Sequence, residues 1–219
     1  MELLDFARGD ALVYSFAIFA FGTVWRLTTL LMSPRLRQFS QPRPGTPGDT
    51  EAAIRGVLTR FWPHKHYERR VLFNTVNGYV FHIGLAIVVF LYRPHVLFFE
   101  GILGFGWPAL PNTMIYGIGM VTIISLVAAL IKRLTNPVQK MLSTADDYIS
   151  WAITVAPVLT GLWAVNGLFL NYETILALHI LSVCALLIWL PFGKLMHTFI
   201  FALSRGASAV RLSRRGATY

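Results

Sequence analysis

The chain has 219 residues, of which 55% are hydrophobic and 13% are charged, and 19 Lys and Arg against 10 Asp and Glu give it a net charge of +9. Soluble domains contain about 25% charged residues, so this composition excludes an ordinary soluble domain and indicates an integral membrane protein. The single cysteine, Cys184, excludes a disulfide framework and any zinc or iron–sulfur site built on several thiolates of this chain.

Windows of about 20 apolar residues predict an all-α bundle of five membrane-spanning helices that forms a single domain over residues 1–219. The spans are expected at residues 11–32, 72–92, 112–131, 148–170 and 175–203. The fifth is expected to be one long helix that tilts or projects beyond the lipid. Between the first two spans, EAAIRGVLTRFW has amphipathic helical spacing and is expected to lie on the membrane surface or against a partner.

Basic residues are concentrated in alternate connecting segments, namely loop 33–71, loop 132–147 and the C-terminal tail. They are Arg35, Arg37, Arg43, Arg55, Arg60, Lys65, Arg69, Arg70, Lys132, Arg133, Lys140, Arg205, Arg211, Arg214 and Arg215. Because cytoplasmic segments of membrane proteins are rich in Lys and Arg, this pattern predicts an outside N-terminus and a cytoplasmic C-terminus. The positive charge is thus interpreted as a topology signal at the lipid surface, and no nucleic-acid partner is expected.

Three histidines fall inside the apolar spans, where ionisable side chains are costly and are functional candidates by default. His179 and His197 are 18 residues apart, which on one continuous helix places them on the same face. His82 of the second span and His197 of the fifth are expected about 18 and 12 Å from the cytoplasmic edge, at about 1.5 Å per residue. Two antiparallel helices can therefore bring these two imidazoles to one level.

Two facing imidazoles without a carboxylate suit the axial positions of a haem iron better than a zinc site, which needs three or four ligands. The chain has no C-x-x-C-H motif, so non-covalent haem b is expected. The alternatives are a hydrogen bond between helices and, in a haem-free transporter or scaffold, a proton relay. Relays usually recruit intramembrane Asp or Glu, and the sequence places none at depth between Asp10 and Asp146, which favours haem.

Three segments resemble the membrane cytochrome b family of the respiratory nitrate reductase gamma subunit, which includes cytochrome b subunits of sulfite-reductase-associated and heterodisulfide-reductase-like complexes. They are FHIGLAIVVF (81–90), NPVQKMLSTADDYISWAITVAPVLTGL (136–162) and LHILSVCALLIWLPFGKLMHTF (178–199). The third is the most specific, because the interval between its two histidines and its Pro-Phe-x-Lys-Leu-x-His ending match the family pattern.

This resemblance implies two b haems. His82 and His197 match the ligands of the haem near the cytoplasmic side, and His179 matches one ligand of the haem near the outer side. The position of its family partner is Tyr92 in this chain. The second haem therefore requires either Tyr92 as a tyrosinate or His95, three residues later. Without a second haem, His179 is expected to contact quinone or another helix.

The resemblance also implies an electron-transfer subunit of a respiratory oxidoreductase in a bacterial or archaeal cytoplasmic membrane. Electrons would pass between quinol or quinone and a cytoplasmic iron–sulfur subunit that serves a separate catalytic subunit. Lys194 and Arg133 are expected near the cytoplasmic-side haem, where they could pair with its propionates, although anchoring at the membrane edge explains them equally well. The direction of electron flow is left open.

Overall fold

The computed structural model describes residues 2–34, 41–59, 61–166 and 171–217, and this part of the chain is all-helical. Its helices are α1 (Glu2–Phe6), a π-helical turn (Ala7–Ala11), α2 (Leu12–Met32), α3 (Asp49–Thr59), α4 (Glu68–Leu91), α5 (Arg93–Leu103), α6 (Asn112–Thr135), α7 (Pro137–Leu142), α8 (Ala145–Asn166), α9 (Tyr172–Trp189), a 3-10 turn (Lys194–Met196) and α10 (His197–Arg214). Arg35, Arg37, Arg60 and residues 167–170 of the expected fourth span lie outside the described residues.

Within the described part of the chain, five helical segments are long and apolar enough to cross a membrane. They are Glu2–Met32, Glu68–Leu91, Asn112–Thr135, Ala145–Val165 and Tyr172–Trp189. The all-α class and the presence of five apolar helices, both predicted from the sequence, are therefore confirmed, but the bounds of the fifth helix differ from the prediction.

The apolar helices pack in an order that differs from their order along the chain. α4 packs along α6, α6 against α8, α8 along α9, and α9 along α2. A small core also forms where Leu4 and Ala7 contact Ala177 of α9. Among the described residues, α4 and α9 share no extensive packing. The helices that carry His82 and His179 are thus connected through α6 and α8 rather than directly.

The contact between α4 and α6 depends on a glycine and a polar pair. A Cβ atom at Gly84 would lie 2.0 Å from Oγ1 of Thr122, so any larger residue at this position prevents the approach of the two helices. Asn77 donates its side-chain N–H to the carbonyl of Ser125 at 3.0 Å, and the Ser125 hydroxyl donates to Oδ1 of Asn77 at 2.7 Å. In an apolar environment such hydrogen bonds fix one helix against another, because no water competes for them.

The expected single helix over residues 175–203 is wrong. α9 ends at Trp189, and α10 begins at His197 after a turn. Pro191 contributes no backbone N–H and so breaks the helix, and a Cβ atom at Gly193 would lie 2.2 Å from Nε1 of Trp189. His179 and His197 consequently lie on different helices and do not share one helical face, and His197 lies outside the apolar span that ends at Trp189.

The amphipathic segment that begins at Glu51 packs against the C-terminal helix. Up to Thr59 it belongs to α3, and a Cβ atom at Gly56 would lie 2.2 Å from Cβ of Ala209 in α10. Nε of Arg214 donates to Oδ1 of Asp49 at 2.8 Å, and this hydrogen bond holds the pKa of the Asp49 carboxyl below its usual value. The first connecting loop and the tail therefore form one helix pair, which we call the α3/α10 pair.

Candidate metal centre

The first candidate site is formed by His82 of α4 and His197, the first residue of α10. Their ring centroids lie 5.9 Å apart, and the ring planes are inclined at 81°. Both residues are exposed in the structure. The structure thus brings together the two histidines that the sequence places at one depth.

A backbone hydrogen bond orients each ring of this pair. Nδ1 of His82 lies 2.7 Å from the Gly78 carbonyl oxygen, and Nδ1 of His197 lies 2.8 Å from the Lys194 carbonyl oxygen. A carbonyl only accepts, so each neutral ring must carry its proton on Nδ1. This arrangement is typical of metal-binding histidines, whose second nitrogen donates to a carbonyl or carboxylate. Nε2 of each ring is then the nitrogen that can bind a metal.

The second candidate site is formed by His95 and His179. Their ring centroids lie 6.1 Å apart, and the planes are inclined at only 11°. α4 ends where Tyr92 adopts an extended conformation. Pro94 lies in the first turn of α5, where backbone N–H groups have no partner within the helix, so its missing N–H costs no hydrogen bond. The break at Tyr92 therefore turns the chain and carries His95 to α9.

The rings of this second pair are oriented in the same way as those of the first. Nδ1 of His95 lies 2.9 Å from the Val88 carbonyl oxygen, and Nδ1 of His179 lies 3.0 Å from the Pro157 carbonyl oxygen. Oγ1 of Thr160 lies 3.2 Å from Nδ1 of His179. Burial lowers the pKa of His95, which favours the neutral imidazole that binds metals.

Tyr92 is a poorer partner for His179 than His95 is. Its ring stands edge-on to that of His95, with the centroids 5.2 Å apart, and Tyr116 lies next to it, with the ring centroids 6.3 Å apart. Burial raises the pKa of Tyr92 to about 12. The ring paired with that of His179 is thus that of His95, whereas Tyr92 packs against His95 and Tyr116.

Both pairs have a ring separation that would fit one metal bound between facing Nε2 atoms. Metal–nitrogen bonds to imidazole are about 2 Å long and each ring centroid lies about 1 Å behind its nitrogen, so the two centroids should be about 6 Å apart. The observed values are 5.9 and 6.1 Å. No group of three or more His, Cys, Asp or Glu that could hold a metal ion occurs in the described ranges. Paired histidines fit a metal whose remaining ligands come from a porphyrin.

The two cations expected to meet haem propionates are both paired with Asp147. Nη1 of Arg133 lies 3.0 Å from Oδ1 of Asp147, and the ammonium group of Lys194 bonds to Oδ2 of the same carboxylate. Nζ of Lys194 also donates to Oγ1 of Thr144 at 3.2 Å. One carboxylate thus pairs with both cations and offsets one of their two positive charges, close to the turn that leads to His197.

Sequence reasoning missed Thr160, which lies beside His179, and the link between Asp147 and Lys194. A Cβ atom at Gly161 would lie 3.2 Å from Cε1 of His179, so this glycine makes room for the ring, and Thr160 contacts the same ring. The T-x-x-D spacing of Thr144 and Asp147 indicates a helix cap, which the structure has, since the Thr144 N–H donates to Asp147 at 2.9 Å. No local pattern connects that cap with Lys194, 47 residues later.

Within the described residues, the fold is all-helical with five apolar helices, and four histidines form two pairs of neighbouring rings. A protein of Nitratidesulfovibrio vulgaris (strain Hildenborough) is 31% identical over 200 residues, which cover 90% of this chain and 84% of the relative. The chain belongs to the same family as that protein, whose name states no function. No family model matches the chain, and no solved structure matches it.

Proposed function

We propose that the chain is a haem b membrane subunit that transfers electrons between the quinone pool and a cytoplasmic iron–sulfur partner of a respiratory oxidoreductase. One observation carries the proposal: four histidines form two pairs with the spacing that iron requires, and a backbone carbonyl orients every ring. The resemblance of three segments to the cytochrome b family of nitrate reductase gamma subunits supports it. Haem, when bound, supplies one-electron redox chemistry.

Each pair has a separate place in this proposal. His82 and His197 would hold a haem near the cytoplasmic side, and His95 and His179 would hold a second haem near the outer side. Nine residues of α4, about 14 Å at its helical rise, separate His82 from the helix end at Leu91, which His95 follows. Two sites at different depths would let electrons cross much of the bilayer while quinone exchanges protons at one face.

The proposed topology has the N-terminus outside and the C-terminus in the cytoplasm of a bacterial or archaeal cell. The α3/α10 pair would then face the cytoplasm and present Arg55, Arg211 and Arg215, all of which are exposed. Such a basic surface suits an acidic docking partner, because charge complementarity steers association. A fluorescent protein fused after Tyr219 should fluoresce, whereas alkaline phosphatase at the same place should be inactive; the opposite pattern would contradict this topology.

Quinol reduction tests the function directly. The purified chain should show a Soret band, and a soluble naphthoquinol added without oxygen should produce the sharp bands of reduced six-coordinate haem. His66→Ala is a suitable control, because His66 lies outside the apolar helices. A haem that dithionite reduces but quinols do not would exclude quinol as the electron donor. A chain that never binds haem would overturn the proposal in favour of a haem-free scaffold or proton relay.

A further inference from the structure

The segment that delivers His197 is a tight turn rather than a helix. After Trp189 ends α9, the N–H groups of Phe192 and Gly193 both donate to the Trp189 carbonyl, at 3.0 and 2.9 Å. The Trp189 indole N–H donates to the Ser150 hydroxyl of α8 at 2.9 Å. The start of the turn is thus fixed to α8, and Lys194 follows immediately.

Lys194 connects this turn to His197 and to the first turn of α8. Its carbonyl oxygen accepts the hydrogen bond from Nδ1 of His197 at 2.8 Å, and its backbone N–H lies 3.3 Å from Oδ1 of Asp146. Its ammonium group bonds to Asp147. The backbone that orients the His197 ring is therefore held by two neighbouring carboxylates.

Asp147 is itself fixed from several directions. It accepts hydrogen bonds from the N–H and the hydroxyl of Thr144, at 2.9 and 3.1 Å, and forms an ion pair with Arg133 near the end of α6 at 3.0 Å. Its side chain is only 10% exposed, whereas that of Lys194 is 49% exposed. The carboxylate is the common point at which α6, α8 and the turn before α10 meet.

We propose that Asp147 is a positioning residue for the His82/His197 site, and that it acts on His197 through Lys194. This inference rests on the proposed haem at that site. With Asp147 in place, the ammonium group of Lys194 is held, its carbonyl oxygen stays aimed at Nδ1 of His197, and Nε2 keeps one direction. Hydrogen-bond partners behind a ligating histidine fix its orientation and raise metal affinity.

Two substitutions of opposite charge separate positioning from electrostatics. Asp147→Asn removes a negative charge and Lys194→Gln removes a positive one, so a purely electrostatic effect would raise the haem midpoint potential in the first variant and lower it in the second. Both variants break the ion pair that holds the turn before α10, so a positioning role predicts a midpoint-potential change of the same sign and a faster loss of haem in both. Glu51→Gln is the matched control, since Glu51 is an exposed carboxylate on α3 outside this network.

The experiment measures the haem midpoint potential, the ferric EPR spectrum and the rate of haem transfer to apomyoglobin in the full-length chain. In Asp147→Asn and Lys194→Gln we expect the EPR signal assigned to the His82/His197 site to broaden. We also expect the haem at that site to leave about tenfold faster, because losing a hydrogen-bond partner behind a ligating histidine weakens metal binding by at least about this factor. The second haem and the Glu51→Gln variant should be unchanged. Asp147→Glu, which keeps the charge, should restore most of the retention.

Two results would overturn the inference and can be told apart. If the wild-type chain binds haem at His82/His197 and both variants keep its EPR signal and its haem loss rate, then Asp147 does not position His197, and the proposed function is unaffected. If the wild-type chain binds no haem at all, the proposed function fails, and this inference fails with it.

Discussion

The two histidine pairs have nearly equal ring separations but are built in different ways. In the His82/His197 pair the rings are exposed and nearly perpendicular, and one of them follows a turn held by ion pairs. In the His95/His179 pair the rings are partly buried and nearly parallel, and His179 packs directly against α8. Similar ring separations thus arise from a turn held by ion pairs in one case and from close helix packing in the other.

The largest expected effect comes from a residue that supports both pairs. Gly84→Leu forces a side chain into Thr122, whose Oγ1 would lie 2.0 Å from the new Cβ atom, and so displaces α4, which carries His82 and leads to His95. Overpacking of this kind costs about 1–3 kcal/mol or more. We expect loss of both haems and a lower thermal unfolding midpoint of the purified chain.

Gly117→Leu is the control for this prediction, because a Cβ atom at Gly117 in α6 meets nothing within 4 Å. This variant should keep both haems. Equal loss in the two variants would show that helix propensity, rather than the α4–α6 contact, determines the result.

The second prediction separates the two pairs by their ring orientation. Parallel and perpendicular imidazole planes split the iron d orbitals differently, so ferric EPR of the wild-type chain should show a rhombic low-spin signal and a more anisotropic one. His95→Ala should remove the rhombic signal alone, while Tyr92→Phe should remove neither. Loss of the rhombic signal in Tyr92→Phe would instead assign the ligand to the tyrosine.

A smaller effect is expected at the glycine beside His179. In Gly161→Ala the new methyl group would lie 3.2 Å from Cε1 of His179 and push the ring by a few tenths of an ångström. The rhombic EPR signal should shift, and its haem should be lost several-fold faster, with the other signal unchanged. Gly117→Ala, where a Cβ atom meets nothing within 4 Å, serves as control. A shift of both signals would contradict a local effect.

The smallest effect is expected at Thr160. Thr160→Val removes the hydroxyl that lies 3.2 Å from Nδ1 of His179, but the Pro157 carbonyl oxygen remains 3.0 Å from the same nitrogen. A hydrogen bond of this kind contributes about 1 kcal/mol. The midpoint potential of the second haem should therefore shift slightly without loss of haem, as a redox titration would measure. Complete haem loss would mean that Thr160, and not Pro157, orients the ring.

The fold was predictable from the sequence as far as hydropathy determines it. Five long apolar windows predict five helices, and depth counted from basic residues predicts that His82 and His197 meet. Hydropathy does not detect a break within an apolar stretch, so the fifth span was predicted as one helix despite Pro191 and Gly193. The local signals were present, because proline ends helices and glycine permits close approach to an indole.

The second pair was harder to predict because a broken helix creates it. The sequence suggests that a histidine just after a proline at a helix end is displaced from the bundle, yet Pro94 lies in the first turn of α5, which carries His95 toward α9. The α3/α10 contact was missed for a related reason. Its small residues, Gly56 and Ala209, lie far apart in sequence, and amphipathic spacing in α3 indicates that one face is covered without indicating what covers it.

The haem-to-protein ratio by pyridine haemochrome tests the central claim most directly. We expect a ratio of about two for the wild-type chain, because each of the two histidine pairs would hold one haem. His82→Ala and His95→Ala should each lower it by one haem, and the double variant should bind none. A wild-type ratio of one that His95→Ala leaves unchanged would contradict the second site, and a ratio of zero would contradict the assignment of both histidine pairs to haem.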